Sequence, residues 1–171
     1  MRAEERRQAV LELIEQSEKP VSASSLAARF SVSRQIIVGD IALLRAAGAE
    51  ISATPRGYVI LQDSLTGTVR QIACRHRAEE MEAELNAIVD QGCTVIDVIV
   101  EHPIYGQLTG PLHLSSRYEV ARFMERSMEE EALPLSNLTE GIHLHTLSCP
   151  DEAAFLRVKD ALRELGVLLE D

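Results

Sequence analysis

Apolar residues recur at helical spacing through Ala9, Val10, Leu13 and Ile14, predicting an amphipathic helix over 4–17. Pro20 and Val21 break that pattern. Ser22 or Ser24 can cap a second, short helix that reaches Phe30, with Leu26, Ala27 and Phe30 turned inward. Ser31-Val32 reads as a tight turn, after which Ser33 caps a third helix carrying Ile37, Ile41 and Leu44 on one face and ending at Gly48. Residues 49–60 then read as a β-hairpin turning near Pro55–Gly57. Three helices with a short second turn, followed by a hairpin, predict a winged helix-turn-helix over residues 1–62.

A polar stretch, Asp63–Thr66, reads as a connector. Beyond it the periodicity changes. Residues 68–74 alternate as a strand, and 78–90 form an acidic amphipathic helix with Met81, Leu85, Ile88 and Val89 inward. Strands follow at 94–100 and 105–114, a helix capped by Ser115 or Ser116 runs to about residue 131, a strand covers 141–148, and Asp151 caps a last helix to about residue 165. The order β-α-β-β-α-β-α over 66–171 predicts an α/β sandwich, a sheet covered by helices and close to ferredoxin-like. The whole chain is thus α+β in class.

Charge sharpens this division. Residues 1–62 hold 8 Lys/Arg against 7 Asp/Glu, whereas the remainder holds 9 against 20. The acidic half is excluded as a DNA reader, and the near-neutral half is not. On the predicted recognition helix, Ser33, Arg34, Gln35 and Val38 are the positions facing a major groove, and Arg56 at the wing tip meets backbone or minor groove. One near-neutral winged helix binds DNA weakly, so a homodimer on a palindromic operator is expected. No apolar run is long enough for a membrane span, and the start of the chain lacks a signal-peptide core, so a cytoplasmic protein with no membrane partner is expected. The three cysteines, Cys74, Cys93 and Cys149, have no C-x-x-C spacing and read as buried thiols.

The richest chemistry lies in Gly141-Ile142-His143-Leu144-His145. Histidines two apart on a strand share one face, and two imidazoles on one face form half of a transition-metal site. His76 adjoins the acidic helix, where spacing alone would pair it with Glu80, one turn on. Hydrolytic use of such a metal is disfavoured, because no general base, phosphate loop or nucleophile arrangement accompanies it.

The run Val32–Arg45 followed by Arg56-Gly57-Tyr58 resembles the biotin-repressor-type helix-turn-helix, with Gly39 standing where an ordinary helix former is expected. Arg75-His76, the run from Asp97 to Gly106, Ser116-Arg117-Tyr118 and Gly141–Thr146 resemble the three-histidine domain of nicotinate-responsive repressors of NAD-precursor uptake and synthesis genes. That resemblance implies a divalent transition metal, nickel or zinc, on His76, Glu84, His143 and His145, with nicotinic acid as co-repressor. It overrides the spacing-based choice of Glu80. For the pyridine ring and carboxylate of such an effector, Arg117 and Arg75 are candidate cations. Tyr105 is a candidate ring partner, and His102 a candidate pocket residue whose alternative is a turn-forming role. A metal sensor without an organic effector is the alternative reading.

Overall fold

The computed structural model describes residues 1–60 and 67–170. They divide into two compact units, Met1–Ser64 and Leu65–Asp171; the expected connector Asp63–Thr66 lies outside the described residues.

In the first unit, helices α1 (Ala3–Gln16), α2 (Ala23–Phe30) and α3 (Arg34–Ala46) precede a hairpin of β1 (Ile51–Thr54) and β2 (Gly57–Ile60). Ser22 caps α2 by accepting the Ser25 amide at 3.0 Å, and Ser33 caps α3 by accepting the Ile36 amide at 3.2 Å. Val10, Ile14, Leu26, Ile37, Ile41 and Ile51 form the core. The hairpin is tied to the chain entering α2, where Val21 and Tyr58 exchange backbone hydrogen bonds of 3.0 and 2.8 Å. Gly57 makes this approach feasible, because a Cβ there would lie 2.6 Å from the Val21 carbonyl.

The second unit contains β3 (Thr68–Arg75), α4 (Met81–Val89), β4 (Thr94–His102), β5 (Gly106–Leu114), α5 (Arg117–Glu129), β6 (Ile142–Cys149) and α6 (Glu152–Leu165). Short 3-10 turns at Ala78–Glu80 and Leu135–Thr139 were not legible in the periodicity. The chain order is the expected one, and Ser116 and Asp151 cap their helices. Laterally, the antiparallel sheet runs β3-β6-β4-β5. A ferredoxin-like sheet would place the third strand between the first two; here β6 takes that place and β5 lies at the edge. Period-2 alternation specifies which face of a strand is buried but not which strand lies beside it, so this permutation was invisible in the sequence. Beyond β3 the chain after α6 adds a further rung, with Arg75 donating to Val167 and Ala73 accepting from Leu169 at 2.8 and 3.0 Å. That rung covers an otherwise open strand edge.

The core of this unit joins Ile72, Cys74, Leu85, Ile88, Val95, Leu114, Leu147, Val158 and Leu162. On β6 burial alternates strictly: His143, His145, Leu147 and Cys149 face inward. Both histidines therefore project from a central strand into the apolar layer beneath the helices.

Candidate metal centre

Glu84 is the organising residue. It follows Met81 by three positions and precedes Ile88 by four, so it falls on the inward stripe of α4, and it is 0% exposed. His76 is not on that helix. It occupies the joint between β3 and the 3-10 turn, so its side chain reaches Glu84 from outside the helix. Glu80 is used differently: its carboxylate accepts the Arg77 amide at 2.9 Å.

Three imidazoles converge on the Glu84 carboxylate. His143 Nε2 lies 3.1 and 3.0 Å from its two oxygens, and the Nε2 atoms of His76 and His145 contact it as well. All three rings are buried. Adjacent rings meet edge to face, with centroids 4.7 Å apart for His76 and His143 and 4.8 Å for His143 and His145.

The far side of each ring is fixed by a backbone carbonyl. Nδ1 of His76 bonds to Arg77 O at 2.7 Å, that of His143 to Gly141 O at 2.8 Å, and that of His145 to Asp97 O at 2.7 Å. A carbonyl only accepts, so each Nδ1 carries the proton. In the neutral ring each Nε2 is then a bare lone pair aimed at a carboxylate, which also only accepts. Three lone pairs and a carboxylate around one buried point fit a cation with borderline preference for nitrogen and oxygen donors. The carbonyl contacts are the outer-shell arrangement that fixes ligating histidines.

Without a cation the cluster compensates only by drawing in protons. Burial alone would push the Glu84 carboxyl up, but His145 and His143 outweigh it and hold the carboxyl below its ordinary range. Burial likewise opposes a charge on His145, and the facing Glu84 outweighs it and raises that imidazole.

The chain supplies these carbonyls through two backbone irregularities. The register of β4 shifts between Val95 and Asp97 against β5, and between Val95 and Ile99 against β6. This presents the Asp97 carbonyl to His145, while the Asp97 carboxylate accepts the Thr146 amide at 2.9 Å. Bulges re-aim groups in this manner. Gly141 has φ +91°, and a Cβ on it would lie 2.3 Å from the His76 carbonyl oxygen. Its own carbonyl accepts from the His76 amide at 3.4 Å as well as from His143. Sequence reading placed Asp97 and Gly141 in its motifs but missed their roles, because backbone acceptors leave no side-chain signal.

Cys74 is a buried free thiol, as its sequence context indicated, but its place beside this cluster had no sequence signal. In the register of β3 and β6, Cys74 lies directly opposite His143. Its Sγ, a Glu84 carboxylate oxygen and a His143 ring nitrogen lie within 4.8 Å of one another. Burial, with Glu84 nearby, pushes this thiol well above its ordinary range.

His102 ends β4 and closes the β4–β5 turn, its Nδ1 accepting the amides of Ile104 and Tyr105 at 3.1 and 3.2 Å, which is the turn-forming alternative. Tyr105 lies against the His102 ring and is 74% exposed. Arg117, at the start of α5, engages Asp90 through two hydrogen bonds of 2.7 and 2.6 Å. Arg75 is exposed, one residue past the inward-facing Cys74.

In the first unit the start of α3 is open. Ser33, Arg34 and Gln35 are exposed and Val38 is half-buried, while Arg56 is exposed between the hairpin strands. Gly39 is exposed too, and a Cβ there would meet nothing within 4 Å. The one acidic residue of α3, Asp40, is turned inward and 4% exposed, where Arg6 Nε binds it at 2.6 Å. The outer face of the helix therefore carries no negative side chain toward a polyanion. No described helix is long and apolar enough to cross a membrane.

Comparison with known proteins matches residues 6–59 to a helix-turn-helix domain family and residues 69–171 to the 3H domain family. The probable transcription repressor NiaR of Thermotoga maritima is 43% identical over 168 residues, covering 98% of this chain and 95% of that protein. The transcription repressor NadR of Bacillus subtilis is 43% identical over 169 residues, covering 97% and 94%. With the helix-turn-helix in the first unit, the histidine cluster in the second and likeness along nearly the whole length, the chain belongs to the NiaR/NadR-type family of transcription repressors rather than to a family of enzymes.

Proposed function

We propose that this protein represses NAD-precursor (niacin) uptake and synthesis genes, binding a palindromic operator as a homodimer with nicotinic acid as co-repressor. The first unit reads DNA through Ser33, Arg34, Gln35 and Val38 of α3, with Arg56 of the hairpin on the backbone. The second unit is regulatory and holds a divalent transition metal, nickel or zinc, on His76, Glu84, His143 and His145. The observation that carries this reading is the set of three Nε2 lone pairs directed at a single buried carboxylate, each fixed by a carbonyl on Nδ1. A metal preferring five or six ligands would retain open positions for a pyridine nitrogen or a carboxylate.

The commitment of Arg117 to Asp90 and the outward position of Arg75 favour a second reading, a metal sensor with no organic effector. Calorimetric titration of nicotinic acid into metal-loaded protein, with nicotinamide as control, separates the two. Saturable heat from the acid alone supports the co-repressor. No heat from either compound, in protein verified to hold metal, leaves the metal as the signal.

A further inference from the structure

We propose that Cys74 is a fifth donor to the metal in the effector-free protein, an inference that rests on the metal-binding reading above. Three observations converge. Cys74 is 0% exposed, and its sulfur, a Glu84 oxygen and a His143 nitrogen lie within 4.8 Å of one another, a spread that donors around one ion can adopt. Its position opposite His143 is set by the β3–β6 ladder, with Ile72 opposite His145 one rung along, so backbone pairing holds it on the face of the cluster. The Nε2 atoms of His76, His143 and His145 all face the one buried Glu84 carboxylate, an arrangement of donors that fits a cation at that point.

Charge supplies the driving force. A divalent ion, one carboxylate and three neutral imidazoles leave one net positive charge among Ile72, Leu85 and Leu147. An uncompensated buried charge is costly. A thiolate brings the site to neutrality. When the metal enters, the S–H bond of Cys74 breaks, its electron pair forms the sulfur–metal bond, and the proton leaves to solvent. No oxidant is required. Sulfur among the donors favours thiophilic cobalt, nickel, zinc or copper over manganese or magnesium. An anionic effector reaching the metal would meet the same need for charge, which makes it a natural competitor of the thiolate.

Cobalt(II) titrated into the full, effector-free chain tests this by absorption. A near-ultraviolet sulfur-to-cobalt charge-transfer band is expected beside the visible ligand-field bands. Cys74→Ser should lose the charge-transfer band and keep the visible ones. A variant with Cys93→Ala and Cys149→Ala should keep both, and it identifies the sulfur even if Cys74→Ser does not fold. Cobalt uptake with no charge-transfer band, or a band that survives Cys74→Ser, overturns this inference and leaves the histidine–glutamate site standing. No cobalt uptake at all overturns both.

Discussion

Asp40 on α3 and Glu84 on α4 are both carboxylates on the inward face of a helix, 4% and 0% exposed, and their surroundings differ in kind. Asp40 is met by a guanidinium of its own unit, with Arg6 Nε at 2.6 Å and Nη2 at 3.1 Å and Arg7 at 3.9 Å. The positive charge is covalently part of the chain, and the pair is complete as folded. Glu84 is met by three imidazoles whose outer nitrogens are already committed to carbonyls. Neutral, those rings offer the carboxylate no proton. A buried carboxylate with its own cation is a structural fastener. One ringed by lone pairs is a socket.

The largest effect expected from this contrast concerns Glu84→Gln, which retains volume and removes the charge. Metal affinity should fall by more than the roughly 10–100-fold typical of outer-shell changes. Wild-type protein at a metal concentration 1,000 times the dissociation constant should gain about 4 kcal/mol in the stability of the second unit. The variant should keep less than about 1.4 kcal/mol of that gain by calorimetry, the amount left after a roughly 100-fold loss of affinity. Equal stabilisation of both proteins by zinc or nickel would remove Glu84 from the site.

Asp40→Asn should behave oppositely. It leaves Arg6 without its partner and should lower the melting temperature of the first unit, by about 4–8 °C for each kcal/mol lost in a unit of this size. The metal-dependent rise of the second unit should persist. A metal response altered by Asp40→Asn would mean that the two carboxylates are not independent.

Arg34→Ala and Gln35→Ala probe what the inward turn of Asp40 leaves exposed. Each should weaken operator binding by about 1–3 kcal/mol if it makes a bidentate base contact, read as fluorescence anisotropy at fixed salt. Thermal stability should change by less than about 0.5 kcal/mol, as at other exposed positions. Unchanged operator affinity in both variants would remove the start of α3 as the reading surface.

Much of this contrast was legible in the sequence, and the illegible remainder has a common cause. The two-residue spacing of His143 and His145 announces one face of a strand, and side-chain periodicity reveals it. Glu84 came only with the family resemblance, since spacing alone pointed to Glu80, which instead accepts the Arg77 amide. The place of β6 between β3 and β4 could not be read this way, because alternation carries no information about neighbours. Nor could the roles of Asp97, Gly141 and Cys74. Cys74 depends on cross-strand register, Asp97 on a bulge and Gly141 on a positive φ beside the His76 carbonyl, and two of the three act through the main chain. Arg117 and Arg75 were chosen by type, because a long cationic side chain suits an anionic effector; in the structure Arg117 pairs with Asp90 and Arg75 is exposed.

The smallest expected effect is a dependence on pH whose sign differs with and without metal. In the metal-free protein Glu84 titrates below its unfolded value of about 4.3, so its contribution is present above that pH and is lost as pH falls through the folded value. His145 titrates above its unfolded value of about 6.5, so its contribution is complete below that pH and is lost as pH rises through the folded value. Both contributions coexist between about pH 4.3 and 6.5, where the metal-free second unit should be most stable. Metal reverses the upper limb. The ion requires neutral imidazole and displaces the proton from His145, so the stabilisation it confers grows as pH rises through the same titration. Denaturant unfolding followed by circular dichroism, with and without zinc from pH 5 to 8, should give curves that diverge toward the alkaline end. Parallel curves would mean that the proton on His145 and the metal do not compete for the same nitrogen, and Glu84 would then be a second fastener rather than a socket.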